Sequence, residues 1–181
     1  MELTDSMRSF ILHWGEMGSR WGVNRTAAQV HALLYLSSEP LTADEIVQIL
    51  SADYASVGTS LRELQDWELV EIVPASGDQR DCFAASHDVW QIFLTVVQQR
   101  VGREIVPTLA VLRRCSAEAG QKRGANPEVA AHIISLSGFL EETYAWYEKV
   151  KSLPPATLRS LMRMGAGITR LLPAKGAGRA A

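Results

Sequence analysis

Apolar residues along this chain repeat mostly at helical spacing, and the period changes once. From Leu41 to Leu50 the stretch LTADEIVQIL predicts a short helix with Ile46, Ile49 and Leu50 on one face. Thr42 and Glu45 stand three apart, the spacing of a capping box. SADY reads as a turn, with Asp53 as N-cap of a second helix, YASVGTSLRELQDWE. There Val57, Leu61 and Leu64 form the buried stripe, leaving Tyr54, Ala55, Ser56, Gly58, Thr59 and Arg62 outward. The pattern then becomes that of strands. LVEIV is one, PASGDQRD a turn through Gly77-Asp78, and CFAAS a short return strand.

Helices flank this stretch. The first runs from about Leu3 to Arg20 with Phe10, Ile11, Trp14, Met17 and Trp21 in register, and Gly15, Gly18 and Gly22 lower its intrinsic stability. Those glycines permit close backbone approach, which suits packing against another chain. Asn24 caps a second helix with Ala27, Val30, Leu33, Leu34 and Tyr35 as core, stopped by Glu39-Pro40. From Asp88 to about Ala119 a long helix carries Val89, Ile92, Phe93, Val96, Val97, Ile105, Leu109 and Leu112, and Pro107 should kink or break it. GQKRGANP is a linker. A helix from Pro127 follows, ended by Pro154-Pro155, and a last helix, ATLRSLMRMGAGITRLL, begins there.

The expected fold is mainly α with a small two-stranded wing: a winged helix-turn-helix plus a helical dimerisation region. The expected divisions are an N-terminal dimerisation helix over 1–22, a winged module over 23–87, a helical dimerisation region over 88–173 and a disordered tail over 174–181. A helix longer than one winged module needs a surface to pack on. A second copy of the chain supplies it, and would set two recognition helices one DNA turn apart.

With 181 residues, 47% of them hydrophobic and 21% charged, the chain is ordinary for a globular protein with a sizeable core. The N-terminal MELTDSMRSF has no basic region followed by an apolar run, and no stretch is long enough to span a bilayer, so the expected compartment is the cytoplasm. Cys82 and Cys115 form neither a disulfide framework nor a zinc pattern, and His13, His31, His87 and His132 are scattered. No metal or other cofactor is expected. No nucleophile triad, carboxylate pair or phosphate-binding loop appears, so no enzyme is expected. Charge is distributed unevenly. Residues 42–86 hold two basic and nine acidic residues, a net −7. From Lys151 onward there are six basic residues and no acidic one. DNA readers usually carry these signs the other way round.

The stretch FILHWGEMGSRWGVNRTAAQVHALLYLSSEPLTADEIVQIL, then TSLRELQ, then GDQRD, resembles the GbsR branch of the MarR-like transcriptional regulators from Phe10 to about Glu118. The resemblance implies a homodimeric bacterial regulator of operator DNA. Branch members often carry S-x-x-R-S-N-V-S across the turn and recognition helix. Here SADYASVG places Tyr54, Ala55, Ser56 and Gly58 there, and Gln79 stands where a second wing arginine is common, beside a retained Arg80. Scaffold residues therefore match better than contact residues. The DNA-contact candidates are Tyr54, Ser56, Thr59, Ser60 and Arg62 through hydroxyl and guanidinium groups. Ala55 and Gly58 offer close approach or a thymine methyl contact, and Gln79 and Arg80 are the wing candidates. Some relatives are implied to respond to choline-like molecules, and an aromatic cage holds a quaternary ammonium. Trp14, Trp21, Trp90 and Trp146 are the candidates for such an effector, against a weightier reading as core packing. A second functional class stays open: a winged-helix dimer that no longer reads DNA and acts through protein contacts. The last helix is basic and amphipathic; docking within the dimer is preferred over a membrane surface.

Overall fold

A computed structural model describes residues 1–74, 80–121 and 126–168. The chain forms two compact units, Met1–Arg100 and Val101–Ala181. The first comprises α1 (Asp5–Arg20), α2 (Arg25–Leu36), β1 (Leu41–Thr42), α3 (Ala43–Leu50), α4 (Tyr54–Asp66), β2 (Val70–Pro74), β3 (Asp81–Ala85) and α5 (Val89–Arg100). The second comprises a π-helical turn (Val101–Ile105), α6 (Val106–Gln121), α7 (Pro127–Val150) and α8 (Pro155–Ile168).

In the first unit each helix start is fixed by a side chain. Thr4 accepts from the Met7 N–H, Asn24 from Thr26 and Ala27, Asp53 from Ser56, and Asp88 from Trp90 and Gln91. Helix α1 ends in a Schellman turn: the Val23 N–H reaches the Gly18 carbonyl at 2.9 Å, and Gly22 takes φ +76°. Helix α4 ends the same way, with Leu69 N–H on the Leu64 carbonyl at 2.9 Å, but the left-handed position is Glu68, φ 58°. The close approach expected of Gly15 and Gly18 is to α2 of the same chain. A Cβ on Gly18 would stand 2.6 Å from the Ala28 Cβ, and one on Gly15 2.6 Å from the Gln29 Cγ. The core centres on α2, α3 and α4, where Val30, Leu33, Leu34, Ile46 and Val57 are fully buried with Leu61 and Leu64 beside them.

The two-stranded wing expected from the sequence is one side of a three-stranded antiparallel sheet, ordered β1-β3-β2. Leu41 pairs with Phe83 and Thr42 with Cys82, while Val70, Ile72 and Pro74 face Ala85, Phe83 and Asp81. The helix expected to begin at Leu41 therefore begins at Ala43. An N-cap takes β-region dihedrals, here φ −74° and ψ 159° at Thr42, so one residue both ends a strand ladder and starts a helix. Pro74 ends the edge strand β2, a position where proline is tolerated.

Helicity does not break at Pro107. The π-helical turn at Val101–Ile105 lies just before it, and such a wide turn leaves room for the proline ring and its unbonded carbonyl. In the second unit α6 packs on α7, with Leu109 and Ser137 buried and Arg113 paired to Glu141 at 2.9 Å. Leu158 of α8 is also buried. Among the described residues no helix is long and apolar enough to cross a membrane. The expected tail over 174–181 lies outside the described residues.

Candidate nucleic-acid interface

The helix-turn-helix is held by a reciprocal cap. Glu45 accepts from the Thr42 backbone N–H at 2.7 Å and from its hydroxyl at 2.8 Å, and the Thr42 oxygen accepts from the Glu45 N–H at 3.3 Å. The backbone bond from Thr42, and then its hydroxyl, hold the Glu45 carboxyl below its usual range. Ser51 turns the chain through φ 50°, and Asp53 starts α4 by accepting from the Ser56 N–H at 2.9 Å and its hydroxyl at 3.2 Å.

Buried Val57, Leu61 and Leu64 fix the roll of α4, so Tyr54, Ala55, Ser56, Thr59 and Arg62 are exposed. Gly58 is half-buried, yet a Cβ there would meet no heavy atom within 4 Å. It leaves a gap between Tyr54 and Arg62, each one helical step of four away. Arg62 donates to the Thr59 hydroxyl at 3.4 Å. Ser60 does not belong to this face: it is 2% exposed. Standing three after Val57 and four before Leu64, it falls on the inner stripe, and its hydroxyl is out of reach of a ligand.

A groove of about 380 Å³ runs between α4 and the wing. Tyr54, Gly58, Arg62 and Gln65 line it from the helix, Ile72, Arg80 and Asp81 from the sheet, and Asp44 from α3. Four of the candidates, Tyr54, Gly58, Arg62 and Arg80, thus meet in one concavity. Ala55, Ser56 and Thr59 lie on the exposed face of α4 beside it, and Gln79 lies outside the described residues. Of the lining residues named, the sequence reading missed four, one of them Asp81, the direct chain neighbour of Arg80. Gln65 follows from Arg62 by one more helical step. Asp44 and Ile72 are brought in by pairing of distant strands, for which no local signal exists. Arg80 lies 3.8 Å from the Asp44 carboxylate with both side chains more than half exposed, an ion pair of about 0–1 kcal/mol that phosphate can displace.

On the opposite side of α4 lies a cavity of about 100 Å³, almost wholly apolar. Trp14 and Trp21 of α1 line it with His31 of α2, Leu64 and Trp67 at the end of α4, and Ile92 and Val96 of α5. A second, of about 210 Å³, shares Trp14, His31 and Ile92 and adds Phe10, Tyr35 and Val89. His31 is buried, its Nε2 has no hydrogen-bond partner, and burial pushes its pKa down to about 4. Of the four candidate tryptophans, Trp14 and Trp21 come together here. Trp90 lines neither cavity and stands edge-on to Phe93, centroids 6.0 Å apart. Trp146 is exposed on α7 of the second unit. Among the described residues no three His, Cys, Asp or Glu side chains gather as metal ligands.

A helix-turn-helix with an exposed, grooved second helix and a β wing defines a DNA-binding transcriptional regulator of the winged-helix class. Residues 21–81 match the family model described as MarR family. The chain is 22% identical over 136 residues to the HTH-type transcriptional repressor GbsR of Bacillus subtilis (strain 168), covering 74% of this chain and 75% of that protein. It is 20% identical over 136 residues to the HTH-type transcriptional repressor OpcR of the same organism, covering 74% of each. A crystal structure of a transcriptional regulator shares the fold at a TM-score of 0.62 and 18% identity, covering 89% of this chain and 99% of that one. Residues 21–81 thus carry a MarR-family winged helix-turn-helix domain, and over 74% of its length the chain is similar to these two transcriptional repressors.

Proposed function

We propose that the protein works in the cytoplasm as a homodimer on operator DNA, without catalysis. In this reading α4 enters the major groove, the wing lies beside it, and a small effector in the α1–α2–α5 cavity sets the affinity. The observation that carries the DNA part is the groove with Arg62 on its helix side and Arg80 on its wing side. Tyr54, Ser56 and Thr59 supply hydroxyls, Ala55 and the gap at Gly58 allow close approach, and Arg80 meets phosphate. The names of the two Bacillus subtilis relatives support a repressor. The effector part rests on α4 itself: Leu64 and Trp67 line the cavity while Arg62 and Gln65 line the groove. A molecule seated against Trp14 and Trp21 therefore bears on the recognition helix. Two indole rings lining one cavity suit a quaternary ammonium.

The test is fluorescence anisotropy with a labelled duplex from the DNA upstream of the protein's own gene. Arg80→Ala should weaken binding about equally on operator and random duplex, and Arg62→Ala should weaken it more on the operator. Choline should shift the parent's midpoint and leave a Trp14→Ala variant unmoved. If both arginine variants bind like the parent, the reading surface is elsewhere. If choline moves neither protein, the cavity holds some other ligand or none.

A further inference from the structure

Among the described residues of the winged unit, His31 Nε2 is the buried side-chain nitrogen or oxygen that no hydrogen bond satisfies. An unpaired polar atom in an apolar interior is disfavoured, and native folds keep few of them. The ring is 7% exposed and stands on α2 among Ala27, Val30 and Leu34, which serve the core. It lines both the tryptophan-lined cavity and the larger one beside it, and Trp14 and Ile92 do the same. These three side chains stand where the two hollows adjoin. Charged side chains reach the first cavity at Glu63 and Arg100, which oppose each other in sign. Its lining is almost wholly apolar, so those two contribute stems rather than charges. The Arg100 guanidinium already donates to the Trp21 carbonyl. The polar atom that faces a ligand there is therefore on His31.

We propose that His31 is the specificity residue of the effector cavity, its Nε2 pairing with a hydroxyl on the ligand. This deepens the effector reading above and rests on it. Burial pushes the His31 pKa down to about 4, so at neutral pH one ring nitrogen donates and the other accepts. A hydroxyl suits Nε2 in either tautomer, because it can donate or accept. A carboxylate only accepts, and it would carry a fixed negative charge into an apolar hollow. A bare quaternary ammonium has no hydrogen to donate, so it leaves Nε2 unpaired. The ligand class is a small apolar head, held against the indoles, joined to an alcohol. A site built around a hydroxyl rejects the analogue that lacks it, because its own polar atom is then left unpaired.

The experiment uses the full chain, tryptophan fluorescence and calorimetry. The probes are choline, propyltrimethylammonium (a methyl in place of the hydroxyl), glycine betaine (a carboxylate) and dimethylbutanol, the uncharged carbon analogue of choline. The variants are His31→Leu, His31→Gln and Tyr35→Phe, with dimer mass and thermal melt as controls for folding. The parent should hold choline about three- to tenfold more tightly than propyltrimethylammonium, the worth of one neutral hydrogen bond. It should hold betaine more weakly than choline. His31→Leu should bring the choline preference to about one, and His31→Gln, whose amide can still pair, should keep part of it. The readout is a ratio of two ligands of one shape, so a general loosening of the cavity cancels. A parent that binds choline and its methyl analogue equally overturns the proposal and leaves the effector reading standing. A preference that survives His31→Leu and vanishes in Tyr35→Phe also overturns it, by placing the hydroxyl against the tyrosine of the second cavity. Binding of dimethylbutanol without choline, lost in His31→Leu, would support the role of His31 and strike the cationic head from the reading above. A parent that binds none of the four sinks both.

Discussion

The two units treat apolar side chains in opposite ways. In the first, Val30, Leu33, Leu34, Ile46 and Val57 are at or near zero exposure, enclosed by three helices and a sheet. Among the described residues of the second, the buried apolar side chains are Leu109 and Leu158. There Phe139 is 65% exposed, Trp146 64% and Met162 67%. The first unit encloses a core of its own, while Trp21, Val89 and Phe93 stay more than half exposed outside that core. The second presents aromatic and aliphatic surface that water disfavours, at about 25 cal/mol per Å². That contrast is the physical ground for the proposed homodimer: a helical region whose missing core is another copy's helices.

The largest effect that would sharpen the contrast is a paired substitution. Ile46→Ala should cost about 2–5 kcal/mol of unfolding free energy through an unfilled cavity, independent of protein concentration. Phe139→Glu with Trp146→Glu should leave the winged core intact and dissociate the dimer at least tenfold more readily. Urea melts at two protein concentrations and light scattering separate the two. A double variant that stays dimeric at submicromolar concentration would show that α7 does not form the interface.

Next comes pH, which probes whether the winged core is dry. His31 takes up its proton near 6.5 when unfolded and near 4 when folded, because burial disfavours the cation. Between those values the unfolded chain binds more protons. Stability is therefore complete above the upper value and declines as pH falls through that window, by up to about 3 kcal/mol. His31→Leu should flatten that decline. A parent and variant with the same pH slope would mean that the imidazole is hydrated in the folded protein.

The smallest effect lies at the end of α4. Glu68 occupies a left-handed position that glycine takes without penalty. Glu68→Gly should stabilise the winged unit by about 0.5–1 kcal/mol, a rise of roughly 2–4 °C in its melting temperature. A lower melting temperature would mean that the carboxylate contributes more than the backbone gains.

What could be read from the chain was what depends on near neighbours. Val57, Leu61 and Leu64 announce their face by spacing alone, and Thr42 with Glu45 announce a cap. Ser60 went wrong because its hydroxyl suggested contact while its angle on the helix set it inward. The strand at Leu41–Thr42 was invisible because it exists only by pairing with Phe83 and Cys82, forty residues on. Gly15 and Gly18 signalled close approach but not its target, since an α1–α2 contact and a contact with another chain ask for the same residue. The division of the four tryptophans follows from tertiary packing, which periodicity does not encode.

Helix α4 has a hollow on each side, one facing outward to the groove and one inward to the tryptophan-lined cavity. A shared wall makes any coupling between the two mutual by thermodynamic necessity. An effector that loosens operator binding tenfold must itself be held tenfold more weakly by protein already on DNA. The concentration at which such a regulator responds would then depend on how much of it is bound to its operators. The same cavity would be a more sensitive detector in free protein than in protein on the chromosome.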